Sequence, residues 1–169
     1  RWHTAVTDGL DALMLARGWG DVTALNARAR AAAIATGQVT GPTLLTITAR
    51  TASTRGRPET REWRAGDVIM AKKNTPALRF GGDQLRNGDR FTVVAATPDG
   101  AGLVVEDLAG RGTTTLPAAY LARHSEFGWA ATIDAAQGAT TDIAVTLARP
   151  GLDREHLYVA MTRGRHENH

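Results

Sequence analysis

Short apolar runs alternate with turn chemistry along this chain, and the spacing of the apolar positions changes twice. The run DALMLA, residues 11–16, reads as a short buried strand, and GWGD after it reads as a turn. In VTALNARARAAAIAT the apolar residues Val22, Leu25, Ala29 and Ala32 fall at helical spacing. Asp21 or Gly20 is placed to cap that helix, and Gly37 to stop it. TLLTIT then alternates loosely. ARTASTRGRPETREWRAGD, residues 49–67, is polar, with Arg50, Arg55, Arg57, Arg61 and Arg64 outnumbering Glu59 and Glu62, and it reads as an exposed loop or hairpin arm.

From Gly66 to about Tyr120 the signals are strand and turn. VIMAKK, RFTVVAAT, GLVVED and TTTLPA are rich in Val or Thr, and NGD, TPDGAG and AGRG separate them. Such short strands predict a small antiparallel barrel. Layered α/β character then returns. GWAATIDAAQGATTD predicts a strand and a Gly-containing loop, IAVTLAR another buried strand, and Asp153 caps a final helix, REHLYVAMTRGR. No internal repeat is visible. The expected organisation is one α/β domain over 1–62 and 126–169, interrupted by a β insertion over 63–125.

Composition changes this picture little. The 169 residues are 43% hydrophobic, enough for a core, but only 5% aromatic, so Ala, Leu and Val carry the packing. A net charge of +3 is too mild to establish a nucleic-acid partner. The absence of cysteine removes disulfides and thiolate metal sites and fits a cytoplasmic protein. There is no apolar run of membrane-spanning length and no leader pattern. Because the chain opens at Arg1 and stops at His169, it reads as a piece of something longer.

Three stretches in one order carry the chemistry: VTALNARAR at 22–30, TIDAAQGATTD at 132–142 and YVAMTRGR at 158–165. Together they resemble the second RecA-like domain of superfamily 1 helicases of the RecD-like branch, most closely the helicase part of TraA/TrwC-type conjugative relaxases. GDVIMAKKN, LRNGDRFTVV and LPAAYL resemble the SH3-like insertion of that family. The resemblance implies a RecA-like parallel sheet interrupted by an SH3-like barrel, and an ATP-dependent motor moving 5′ to 3′ on single-stranded DNA. ATP and Mg²⁺ would be its cofactors.

The resemblance also implies residue roles. Arg163 matches the arginine that reaches nucleotide held by the other RecA-like domain. Such a planar, permanently charged fork suits the charge that develops in phosphoryl transfer. Arg165, about 200° further around a helix, would not face the same phosphate. Arg28 and Arg30 include a candidate second phosphate sensor; the alternative for both is a solvated helix face. Thr132 matches a contact to the DNA backbone, and Gln137 and Gly138 a turn near the nucleotide. Asp134 stands where the family usually has His, and Ala135 where Lys is common. A carboxylate repels phosphate, so contact there would run through backbone N–H groups. On the insertion, Lys72, Lys73 and Asn74 are candidate DNA contacts, with Arg79, Arg86 and Arg90 nearby. Trp63 and Phe80 could stack on bases or pack inside.

HENH at the terminus, expected to be disordered, is not a metal-ligating pattern. No GxxxxGK[ST] is present, so a P-loop RecA-like domain upstream in a parent protein would have to supply nucleotide binding, and the isolated chain is expected to be inactive. A RecD-like exonuclease or repair helicase fragment, and a non-enzymatic binding module, remain the alternative readings.

Overall fold

A computed structural model describes residues 1–51 and 53–169. Ala52, in the stretch read as a loop, lies outside the described residues. In chain order the elements are α1 (Trp2–Thr7), β1 (Ala12–Ala16), α2 (Trp19–Ala35), β2 (Thr40–Ala49), β3 (Glu59–Ala65), β4 (Val68–Ala71), β5 (Thr75–Phe80) and β6 (Asp83–Leu85). They continue with β7 (Arg90–Ala96), β8 (Gly102–Asp107), β9 (Thr113–Pro117), α3 (Ala118–His124), β10 (Ser125–Phe127), β11 (Ala130–Thr132), β12 (Thr141–Thr146), α4 (Arg154–Ala160) and β13 (Gly164–Asn168). The chain forms two compact units, one of residues 1–29 with 128–169 and one of residues 30–127.

The first unit carries a four-stranded sheet in the order β11-β1-β12-β13, parallel throughout. All five residues of β1 are buried, as the apolar run DALMLA predicts for a central parallel strand. Its register sets Ala16 opposite Thr132 and Ala12 opposite Ile143. Ala5, Ala12 and Ile143 form a small core, with Trp2, Val6 and Val145 packed against it.

The helix predicted from Val22 forms, but begins earlier, at Trp19. Neither Gly20 nor Asp21 is therefore the cap. Asp21 sits in the first turn, where its charge complements the helix dipole, and it accepts from Arg149 at 2.7 Å. Gly37 ends the helix as expected: at φ +74° it turns the backbone so that Gln38 N–H reaches Ala33 C=O at 2.8 Å.

The second unit holds a five-stranded antiparallel sheet, β10-β4-β7-β8-β9, and the hairpins β2-β3 and β5-β6. Its core gathers Ile47, Trp63, Ile69, Phe80, Phe91 and Leu116, among others. Phe80 stacks on Phe91 at 4.6 Å, and Trp63 meets Phe127 at 4.7 Å. Trp63 and Phe80 are 0% and 1% exposed, so these two candidate base-stacking rings are core residues instead. Gly66 closes a tight passage: at φ +86°, any Cβ there would strike the carbonyl of Gln38.

The polar stretch at 49–67 is more than an exposed loop. Its second half is β3, paired with β2 from Ala49↔Glu59 to Leu45↔Trp63. Arg61 is buried there, donating to the Ser125 carbonyl at 2.9 Å and to the Glu126 carboxylate at 3.1 Å. Ile47, Ala49 and Trp63 feed the core of the second unit. The first division consequently falls at Arg30, earlier than residue 63, and the hairpin goes with the β-rich unit.

Candidate nucleotide and nucleic-acid site

Within the first unit, β11 ends at Thr132 and the chain folds through a series of tight turns to Ala139. Ala136 N–H donates to Thr132 C=O at 3.0 Å, Gln137 N–H to Asp134 C=O at 3.2 Å, and Ala139 N–H to Ala136 C=O at 3.0 Å. Gly138, at φ +85°, supplies the left-handed step that closes the series. The Thr132 hydroxyl accepts from Ala135 N–H at 3.2 Å and keeps its own proton for donation, although the residue is only 7% exposed.

Asn26 holds the strand that leads into this turn. β11 is an edge strand, and the Asn26 amide satisfies Ala130 on both sides, donating to its carbonyl at 3.0 Å and accepting from its N–H at 2.8 Å. The side chain thus stands in for a neighbouring strand. Its signal in the sequence is a polar residue in step with Val22, Ala29 and Ala33 on a helical face. Asn26→Ala would orphan two buried backbone groups and is expected to cost about 1–3 kcal/mol; urea unfolding of the variant would measure it, and a loss under about 0.5 kcal/mol would refute the bracing role.

The helix at the end of the chain is shorter than REHLYVAMTRGR. Asp153 caps it as expected, accepting from His156 N–H at 2.9 Å, but α4 stops at Ala160. Arg163 follows it in a turn, and Arg165 lies on β13, which pairs parallel with β12. The helical angle between the two arginines does not apply, and HENH is mostly strand instead of a disordered tail. β13 can begin at residue 164 because glycine is there: a Cβ would run into the Glu167 carbonyl.

Arg163 bonds local acceptors. Its Nε donates to Val159 C=O at 3.0 Å and a terminal nitrogen to Thr162 Oγ1 at 2.9 Å. The other terminal nitrogen reaches the carbonyls of Ala136 and Ala139 at 3.5 and 3.4 Å. The backbone adds Thr141 N–H to Arg163 C=O at 3.0 Å. The structure therefore brings Arg163 to the turn that carries Gln137 and Gly138. Arg165 is exposed and makes one long contact, 3.5 Å to Asp142.

At the other end of α4, His156 lies between two carboxylates, Nδ1 at 2.7 Å from Asp153 and Nε2 at 3.2 Å from Asp134. The hydrogen bond to Asp153 holds the imidazolium above its ordinary pKa, and Asp134 adds to the effect. Hydrogen bonds from His156, the backbone N–H first, bring Asp153 down to about 2. The histidine's contribution to stability is complete below its unfolded pKa near 6.5 and is lost as pH rises through the elevated folded value. The aspartate's contribution is present above the usual carboxylate value of 3.8 and fades as pH falls toward about 2. Thermal melts of wild type and His156→Gln across pH 6–9 should show wild type losing an advantage over that range; parallel curves would contradict it.

The other candidates are dispersed. Arg28 is exposed on α2. Arg30 is bidentate to Asp67 at 2.7 and 2.9 Å and also donates to Glu62 C=O. In the second unit, Lys72 is half-buried, and burial lowers its pKa against the opposing pull of Glu126. Lys73 and Asn74 are exposed, and Asn74 caps the turn at Asn87 through its side-chain oxygen at 2.7 Å. Of the nearby arginines, Arg79 and Arg86 are exposed, whereas Arg90 is buried. No described helix is long and apolar enough to cross a membrane, and no metal-ligating cluster occurs among the described residues.

No family model matches the chain. It is 32% identical over 106 residues to an uncharacterised protein of Mycobacterium tuberculosis, covering 62% of this chain and 59% of that protein. It is 36% identical over 107 residues to the conjugal transfer protein TraA of Agrobacterium fabrum, covering 63% of this chain but 9% of that protein. The chain thus spans about three fifths of the first relative and under a tenth of the second. Among solved structures, Pif1 helicase from Bacteroides in complex with ADP-AlF3 and ssDNA superposes on 91% of this chain and 38% of its own, with a TM-score of 0.57 at 18% identity. Pif1 helicase from Candida albicans matches 93% of this chain and 44% of its own, with a TM-score of 0.58 at 16% identity. One likeness is in fold and one in sequence: the chain has a mixed α/β fold with a parallel sheet, similar to that of the Pif1 helicases, and 107 of its residues are similar in sequence to TraA conjugal transfer proteins.

Proposed function

We propose that the chain is the second RecA-like domain, with an SH3-like insertion, of an ATP-dependent DNA helicase of the conjugative relaxase type. The β-rich residues of the second unit form the insertion. Arg163 is the finger that completes a nucleotide site whose P-loop lies in another domain of the parent protein, and the chain alone does not hydrolyse ATP. Gln137, Gly138 and Arg165 border that nucleotide, which would bind with Mg²⁺, whereas Arg30, committed to Asp67, serves structure. Thr132 donates to the phosphate backbone of single-stranded DNA, and the protein works in the cytoplasm.

The observation that carries this reading is the meeting of Arg163 with the 136–139 turn, in a chain similar to TraA proteins and folded like Pif1 helicases. Arg163 meets the part of the TIDAAQGATTD motif that runs from the end of β11 back to the start of β12. The bonds Arg163 makes to Ala136 and Ala139 are long, so one arm of its fork can exchange them for a phosphate oxygen.

Fluorescence anisotropy with a short single-stranded oligonucleotide, repeated across salt, tests the strand-holding part. Binding that weakens with salt, at a slope of about 0.7 per phosphate contact, is expected. No binding at about 50 mM salt, where phosphate contacts are strong, would remove DNA from the chain's own role.

A further inference from the structure

The second unit contains a basic cleft lined by two separate segments, with a third beside them. Thr48 and Arg50 come from the end of β2; Tyr120, Arg123 and His124 come from α3; Lys73 follows β4. Hydrogen bonds hold the segments together. Arg50 N–H donates to Ala122 C=O at 2.8 Å, Lys72 N–H to His124 C=O at 2.9 Å, and the Tyr120 hydroxyl to Lys73 C=O at 3.0 Å. Between β2 and α3 lies an open hollow of about 620 Å³, lined by Thr48, Arg50, Tyr120, Arg123 and His124 together with Ala119 and Ala122. Among the described residues no carboxylate lines it.

The arginines here differ from three others of the unit. Arg30, Arg61 and Arg111 each close on a carboxylate, at 2.7, 3.1 and 2.8 Å. Among the described residues, Arg50, Arg123 and Lys73 make no such pair. Unpaired like charges gathered in a concavity repel one another and raise the local potential for an anion. His124 senses that field: partial burial lowers its pKa first, and the charges of Lys73 and Arg123 lower it further. The aromatic ring of Tyr120, 5.5 Å from the His124 ring, forms one wall.

We propose that this cleft is a phosphate-binding site, with Arg50 and Arg123 as its fork donors, Lys73 and His124 as supporting cations and the Thr48 hydroxyl at its edge. Its ligand class is the phosphodiester backbone of single-stranded nucleic acid or a free polyphosphate, which present the same oxygens. The nucleic-acid source rests on the function proposed above; the phosphate site does not. Protonated His124 would add a fourth charge near a bound phosphate, so occupancy raises its pKa.

The test uses the 169-residue chain. Arg50→Gln, Arg123→Gln and the double variant are compared with Arg154→Gln, which removes an exposed charge from the other unit. Oligonucleotide anisotropy across salt reads the affinity, and the His124 ring signal in NMR reads the cleft directly, with pyrophosphate as second probe. Each cleft variant should lower the salt slope by about 0.7 and the double variant by about 1.4, with Arg154→Gln nearly unchanged. Pyrophosphate or the oligonucleotide should shift the His124 signal in wild type and not in the double variant. A response to the oligonucleotide alone assigns the site to a nucleic-acid backbone; a response to pyrophosphate alone keeps the site and removes the strand-holding role. The proposal is overturned if neither probe moves His124, or if Arg154→Gln weakens binding as much as the cleft variants do.

Discussion

Arg163→Ala, made in the P-loop-containing protein that we propose carries this chain, is expected to lower DNA-stimulated ATP hydrolysis by about 10³-fold or more while leaving nucleotide affinity nearly intact. An arginine finger contributes about 10³–10⁵ in turnover because its charge meets negative charge that develops only in the transition state. Arg163→Lys should recover little, since an ammonium lacks the planar fork. The variant also loses bonds to Val159, Ala136 and Ala139, so a folding control belongs with the kinetics. Turnover within about threefold of wild type, roughly 0.7 kcal/mol, in a protein that melts normally would rule out the finger and leave Arg163 as a brace for the 136–139 turn. Arg165→Ala should have the smaller effect, because that side chain lies on β13 and makes only a long contact to Asp142.

Glu126→Ala is the substitution expected to cost most in stability, about 3–5 kcal/mol, the range for removing one partner of a buried ion pair. The side chains of Arg61 and Glu126 are 5% and 7% exposed. Glu126 accepts not only from Arg61 but also from the Ser53 hydroxyl at 2.6 Å and the Ser53 N–H at 3.1 Å. Its removal leaves a buried guanidinium with the exposed Glu59 carboxylate at 3.4 Å as its remaining counter-ion, and its Nε already lacks a hydrogen-bond partner. Arg61 also faces the Phe127 ring at 5.4 Å, a contact that cannot replace a counter-ion. Replacing both partners by apolar residues, as in Arg61→Met with Glu126→Leu, should recover much of the loss. Urea unfolding of the single and double variants completes the cycle; a loss below about 1 kcal/mol, the scale of an exposed pair, would mean that water reaches Arg61.

Much of this protein was legible from the residues. β1 was readable because its apolar residues are consecutive, which only burial on both faces rewards. The end of α2 was readable because Gly37 alone tolerates the left-handed step at its close. VIMA, RFTVVAA, GLVVED and TTTLP became β4, β7, β8 and β9, since Val and Thr runs bounded by Gly-rich turns have few other solutions. Arg163 and the turn at 136–139 stand apart in sequence, and the structure brings them together.

Other features depend on partners far away in sequence. GRHEN has no apolar alternation, yet it forms β13 because the backbone of β12 offers a free edge and Gly164 permits the approach. β5 and β6 were missed for a different reason: they form a local hairpin whose residues, TPALRF and DQL, lack the Val and Thr runs of the other strands. Arg61 looked like one more solvated arginine until Glu126, 65 positions on, supplied the counter-charge that lets it enter the core. His156 and Asp134 are unremarkable singly, and their bond exists only because α4 returns beside the 132–139 turn. The basic cleft is the extreme case, since Arg50, Lys73 and Arg123 lie on segments that hydrogen bonds bring together across the fold. Local pattern determined which elements form, because backbone geometry and burial act within a few residues. Tertiary structure alone decided which charges meet, because electrostatic pairing depends on distance in space and not along the chain.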